Sequence, residues 1–125
     1  MAAERRALAH NNSLWWKAQM MAKDPRLMSV ERHDDKWKQI NDSKTTLLSI
    51  LHFPWPPLDV ATFKYVFQVN DANGGDKKRK VMRMLLRWHS DKFSSIRGRL
   101  VETEKRFIED KALEVAKFLT GLLQT

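Results

Sequence analysis

Three adjacent residues, His89-Ser90-Asp91, bring together an imidazole, a hydroxyl and a carboxylate, the residue types of a hydrolytic triad. Their adjacency defeats that chemistry, because neighbours along the chain cannot line up as nucleophile, base and orienting acid. The other histidines, His10, His33 and His52, are scattered, and no pair has metal-ligand spacing. His33 reads as a histidine at the edge of a core. Gly74-Gly75-Asp76-Lys77 puts a lysine after glycines but lacks the arrangement of a phosphate-binding loop. The absence of cysteine excludes disulfides, thiolate metal sites and a cysteine nucleophile. No catalytic residue, metal or cofactor is expected, and the chain reads as non-enzymatic.

The second chemistry is charge. The formal net charge is +8 at pH 7, and it is concentrated: between Lys77 and Arg99 the only acid is Asp91. Such a surface suits an acidic partner, whether nucleic acid, an anionic membrane surface or an acidic groove on another protein. Lys77-Lys78-Arg79-Lys80 is a basic tetrad of the kind read in nuclear import, and it could also meet phosphates. It reads equally as the solvated face of a helix. No groove-reading motif accompanies it. The aromatics fall mostly on expected inner faces, which disfavours a stacking platform for single strands.

One helix must present these groups. At 100° per residue, Lys80, Arg83 and Arg87 form one stripe with Arg79 beside it. Val81, Met82, Leu85 and Trp88 take the other side, flanked by Met84 and Leu86. Asp76 would cap this helix, its carboxylate at the positive end of the helix dipole.

The remaining chain supplies a helical frame. Residues 2–23 are rich in helix formers, with Leu14, Trp15, Ala18 and Met21 or Ala22 at core spacing. Asn11-Asn12-Ser13 interrupts that run, as a frayed turn or as a second start capped by Asn12 or Ser13. Asp24-Pro25 ends it. A helix beginning at Ser29 would bury Val30, His33, Trp37 and Ile40. Thr45 to Phe53 is apolar and β-branched, and Pro54-Trp55-Pro56-Pro57 must be extended, with Trp55 turned into the core. Asp59 caps a third helix with a Val60, Phe63, Phe67 stripe, and residues 70–75 form a loop. From about Ile96 a long amphipathic helix carries Leu100, Phe107, Ile108, Val115, Phe118, Leu119 and Leu122. No segment alternates as a strand does, so the fold class is all-α, a small bundle of four to five helices.

Leu85-Leu86-Arg87-Trp88-His89-Ser90-Asp91-Lys92-Phe93 resembles the end of the second helix and the turn of a J domain, the module of DnaJ-type co-chaperones. There an aromatic precedes His-Pro-Asp-Lys. More narrowly it is similar to a J-like region of fungal proteins and NF-kappa-B inhibitor-like proteins, in which a Pro-Trp-Pro segment lies upstream of a Leu-Arg-Trp-His-Pro-Asp-Lys-Phe turn. Phe53-Pro54-Trp55-Pro56-Pro57 supplies that landmark in the right order. The resemblance is tight over about ten residues, looser from His33 to the C-terminus, and does not cover the first thirty.

The resemblance implies a J-domain-like helix-turn-helix hairpin within residues 29–125, preceded by a helical extension over 1–28. It implies docking on a DnaK-type heat-shock chaperone through Lys80, Arg83, Arg87, His89, Asp91 and Lys92. Two departures bear on activity. Ser90 replaces the proline of the turn and removes its fixed φ, and Met82 stands where many J domains carry another cation. The functional expectation is a protein-interaction module that engages such a chaperone without efficient ATPase stimulation. The alternative is a basic nuclear protein binding nucleic acid through Lys77–Arg99.

The size, 125 residues, suits one domain able to bury roughly two-thirds of its unfolded surface. The apolar start is too short for a signal-peptide core, and no run approaches the roughly 20 apolar residues of a membrane span. The expectation is an intracellular protein of nucleus or cytoplasm, with no membrane insertion. Trp15 and Trp16 cannot both face one narrow stripe, so one is expected outside, as a partner surface or dimer seam.

Overall fold

The computed structural model describes residues 2–43 and 47–124; Thr45, within the segment read as β-branched, lies outside the described residues. Among the described residues, five helices of seven residues or more build the fold: α1 (Ala2–Ala22), α2 (Val30–Asp42), α3 (Val60–Val66), α4 (Gly74–Trp88) and α6 (Lys105–Leu123). A five-residue helix, α5 (Ser90–Ser94), follows α4, and short 3-10 turns cover Ile50–His52 and Arg97–Arg99. The architecture is all-α. Its one strand-like feature among the described residues is an isolated parallel bridge between Leu48 and Leu100.

Local sequence decides most helix starts. The Ser29 hydroxyl accepts the Arg32 amide at 3.1 Å, and the Asp59 carboxylate accepts the Thr62 amide at 2.9 Å. Each satisfies an amide that the first helical turn leaves without a backbone partner. Asp59→Ala should therefore lower stability by about 1 kcal/mol, measured as a shift in urea midpoint with unchanged slope.

Elsewhere tertiary contacts override local expectation. The Asn11-Asn12-Ser13 run does not break α1, which is continuous. Asn11 is buried and donates from Nδ2 to the Thr103 carbonyl at 3.1 Å, so the polar side chain serves a contact across the fold. The cap of α4 is Asn73, whose Oδ1 accepts the Gly75 amide at 3.1 Å. Asp76 lies in the first turn and instead accepts the Asn70 amide at 2.7 Å, clamping the preceding loop.

The last helix begins at Lys105, not near Ile96. Six bonds, in three pairs, hold the intervening segment out of a helix. Arg99 donates to the Ile40 and Ser43 carbonyls at 3.0 and 2.8 Å, closing the end of α2. Leu48 and Val101 exchange bonds with Arg99 and Leu48 carbonyls at 2.7 and 3.0 Å. The buried Glu104 accepts from the Ser49 hydroxyl and the Ile50 amide at 2.8 and 3.0 Å.

The core is aromatic. Trp37, Phe53, Trp55, Trp88 and Phe93 are all buried, with Trp88 4.8 Å from Trp55 and 5.0 Å from Trp37 between ring centroids. Trp55 turns inward as expected, and its indole N–H donates to the Ile50 carbonyl at 2.7 Å. From α1, Trp15 meets Trp55 edge-on at 5.0 Å, which ties the N-terminal helix to the same core, whereas Trp16 is exposed. On α4, Val81, Met84 and Trp88 are buried while Met82 faces outward, a rotation of the expected inner face by about one residue. Val60, assigned inward by spacing, is also outside, and of the alternatives Met21 and Ala22 it is Ala22 that is buried.

Candidate surface around the His89-Ser90-Asp91 turn

α4 and α6 pack more extensively on one another than any other pair of elements, and residues 89–104 connect them. The turn opens that connection. His89 ends α4 and caps α5: its Nδ1 accepts the Asp91 amide at 3.3 Å and lies 3.7 Å from the Asp91 carboxylate. Both side chains face solvent, 58% and 92% exposed. They act on local geometry and form no nucleophilic triad, since the Ser90 hydroxyl lies in neither contact.

The backbone of the turn is more telling. His89 has φ −61° and ψ 143°, the extended region that a residue preceding proline occupies. Ser90 is the first residue of α5, the helical position where proline fits best because its amide has no intrahelical partner. The turn therefore holds a proline-compatible shape while carrying serine.

The cations expected on this surface divide into two sets. Arg87, Lys92 and the turn cluster at the C-terminal end of α4, together with Arg83 one turn back. The Arg83 guanidinium binds Asp34 of α2, and Arg87 approaches the same carboxylate at 4.0 Å. Burial works to raise the Asp34 pKa, but the His33 ring and the Arg83 guanidinium outweigh it and hold the carboxyl below its usual range. Lys80 is differently employed. Its Nζ donates to the Phe67 and Gln68 carbonyls at 3.1 and 2.8 Å and pairs with Asp76 at 3.1 Å. This closes the C-terminus of α3, where Gln68 takes a left-handed φ of 52° normally left to glycine. Arg79 also pairs with Asp76, at 2.6 Å. The Asn70 amide, then these cations, hold the Asp76 carboxyl below its ordinary pKa. Of the basic tetrad, Arg79 and Lys80 are thus both paired with Asp76, Arg79 from the surface, and Lys78 is exposed.

Behind the turn lies a network that spacing alone does not reveal. The indole N–H of Trp88 donates to His33 Nε2 at 2.9 Å, and His33 Nδ1 meets the Asp34 carboxylate at 3.2 Å. With Nε2 accepting, the proton of the neutral ring sits on Nδ1 and points at Asp34. The core aromatic, the buried histidine and the exposed arginines are thus linked in one chain. The sequence places His33 inward but carries no sign of its bond to Trp88, 55 residues away, or of the Asp34–Arg83 pair, 49 residues apart.

Beside the turn, Leu85, Trp88, Phe93, Ala112, Leu113 and Ala116 border an open groove of about 490 Å³. Leu86 and Leu113 are exposed nearby. The surface is a cationic edge next to an apolar trough, a combination suited to a protein partner rather than to phosphates alone. Among the described residues no group of three or more His, Asp or Glu could hold a metal ion, and no helix is long and apolar enough to cross a membrane. Comparison with models of known protein families, with curated proteins and with solved structures gives no match.

Proposed function

We propose that this chain is a non-enzymatic protein-interaction module, a J-like domain with an altered turn that engages a DnaK-type heat-shock chaperone without efficiently stimulating its ATP hydrolysis. The observation that carries the reading is the His89 backbone, whose extended cap conformation, shared with Ser29 and Asp59, leaves the Ser90 position open to the proline of a J-type turn. Exposure of His89 and Asp91 beside Arg87 and Lys92 adds the side chains that such docking uses. A chaperone of this type would be met in the nucleus or the cytoplasm.

A single-turnover ATPase measurement with a DnaK-type chaperone tests the reading. The native chain should bind while raising the rate little. Ser90→Pro should raise the rate, because fixing φ at the first helical residue removes freedom from the turn without removing a bond that α5 uses. The same substitution should stabilise the fold by about 0.4–1 kcal/mol through the unfolded chain. Adding His89→Gln to Ser90→Pro should abolish the gain. Absence of both binding and stimulation in the native chain and in Ser90→Pro overturns the proposal.

A further inference from the structure

A second surface lies away from the turn, where α1, α2 and the segment 50–57 meet around a recess of about 280 Å³. Its floor is apolar: Ala18, Ala22, Met28, Phe53 and Trp55. The two alanines matter, because their small side chains on adjacent turns of α1 leave the space that a larger residue would fill. The lip is apolar as well. Met21, Leu27 and Leu51 border the recess with 53%, 52% and 40% of their surface exposed. Three such side chains around one concavity form a contiguous patch, unlike isolated surface hydrophobes. Methionine on the lip can re-pack against ligands of different shape.

The residues that line the recess carry positive charge and no acid. The stripe of α2 that faces it carries Arg32, Lys36 and Gln39, one turn apart, and no acid. Glu31 and Asp35 fall on the next stripe, turned away by a full residue step. On α1, Lys17 is exposed one turn before Met21. Asp24 lies close enough to Arg32 to interact with it, but its carboxylate is paired with Arg26 at 2.9 Å, and the Arg32 guanidinium also donates to the Arg26 carbonyl. An occupant must therefore offer large apolar side chains to the floor and carboxylates to the flank.

We propose that this recess is a docking groove for an acidic amphipathic helix of a partner protein. The volume admits about one or two large apolar side chains, as a helix supplies at i and i+3 or i+4, and its flanking Glu or Asp would meet Arg32 and Lys36. The apolar anchors supply affinity, and the cations select an acidic helix over a basic one. This surface includes α1, which the J-like resemblance does not cover, and it stands or falls independently of the chaperone reading.

The test uses the full chain with methyl-labelled methionine and leucine. The probes are two helix-forming peptides with Leu at i, i+3, i+4 and i+7, one flanked by Glu and the other by Lys. The Glu peptide should bind and shift the Met21 and Leu51 methyl signals, whereas the Lys peptide should not. Lys36→Glu should weaken binding by about fivefold or more, because it replaces attraction by repulsion at the flank. Leu51→Ser should weaken it through the lip. Lys78→Glu changes the net charge equally from α4 and should leave affinity within about twofold. Equal binding of the two peptides overturns the proposal, as does sensitivity to Lys78→Glu without sensitivity to Lys36→Glu. Self-association in sedimentation that occludes the same methyls also overturns it, since the occupant would then be a second copy of the chain.

Discussion

Replacing Trp88 by alanine is expected to lower stability by about 3–5 kcal/mol, the largest single effect available in this fold. The indole is 1% exposed and meets Trp37, Trp55, Phe53 and Phe93 with centroid distances of 4.8 to 6.5 Å. Truncation opens a cavity among four rings that cannot all collapse into it, and it deletes the N–H that satisfies buried His33. A domain of this size is stable by roughly 5–15 kcal/mol, so the variant should retain a fold but melt far lower. Trp88→Phe separates the two contributions: it keeps most of the ring contacts and leaves His33 Nε2 unpaired, for an expected loss of about 1–3 kcal/mol. Trp16→Ala, one large side chain lost from the surface, should change stability by no more than about 0.5 kcal/mol. Thermal unfolding followed by circular dichroism checks all three. A Trp88→Ala melt close to that of Trp16→Ala would mean that the aromatic cluster is not the centre of the core.

The helical class and the inner face of α2 were legible in the sequence because period and cap agree there. Ser29 caps α2, and Val30, His33, Trp37 and Ile40 are all buried. Trp55 was legible for a different reason, since prolines on both sides leave extended backbone as the available conformation. What escaped was decided across the fold. The segment from Ile96 to Glu104 has helical spacing, yet Arg99 and Glu104 side chains are spent on α2 and on residues 49–50, and those partners lie more than fifty positions away. Asn11 shows the same principle in reverse: a residue that disfavours helix interiors is tolerated in α1 because its amide is used by Thr103. On α4 the face shifts by one residue because Met84, rather than Met82, is buried, and two methionines are interchangeable to a hydrophobicity count.

For the candidate surface, the sequence yielded the residues but not their employment. Lys80 and Arg87 fall on one stripe and look equivalent. In the fold Lys80 closes α3 through two carbonyls, while Arg87 stays beside the turn. Substitutions at Lys80 therefore mix structural and surface effects, and Arg87 and Lys92 are the cleaner probes of docking. The reverse holds for Ser90. In sequence it reads as damage to a turn, yet the surrounding backbone keeps the shape into which proline would fit.

The buried His33 makes stability depend on pH, and the direction follows from its surroundings. Burial lowers its pKa from the ordinary 6.5, outweighing the Asp34 carboxylate, which favours the charged ring. Arg83 and Arg87, from the helix packed against it, add repulsion to the same end. Protonation would also turn Nε2 from acceptor to donor and oppose the Trp88 N–H. In the unfolded chain His33 takes up a proton below about pH 6.5, whereas the folded chain resists, so the unfolded state binds more protons and stability falls with pH. The contribution is complete above pH 6.5 and is lost progressively below it, with a limiting slope of about 1.4 kcal/mol per pH unit. The paired carboxylates Asp34 and Asp76 act in the same direction, but only below their ordinary 3.8. Denaturant unfolding between pH 7.5 and 5 isolates the histidine when the native chain is compared with His33→Gln, which retains one acceptor and one donor but does not titrate. His33→Gln should be less stable at pH 7.5, and the gap should narrow as pH falls. Parallel curves would show that His33 charges in place without penalty.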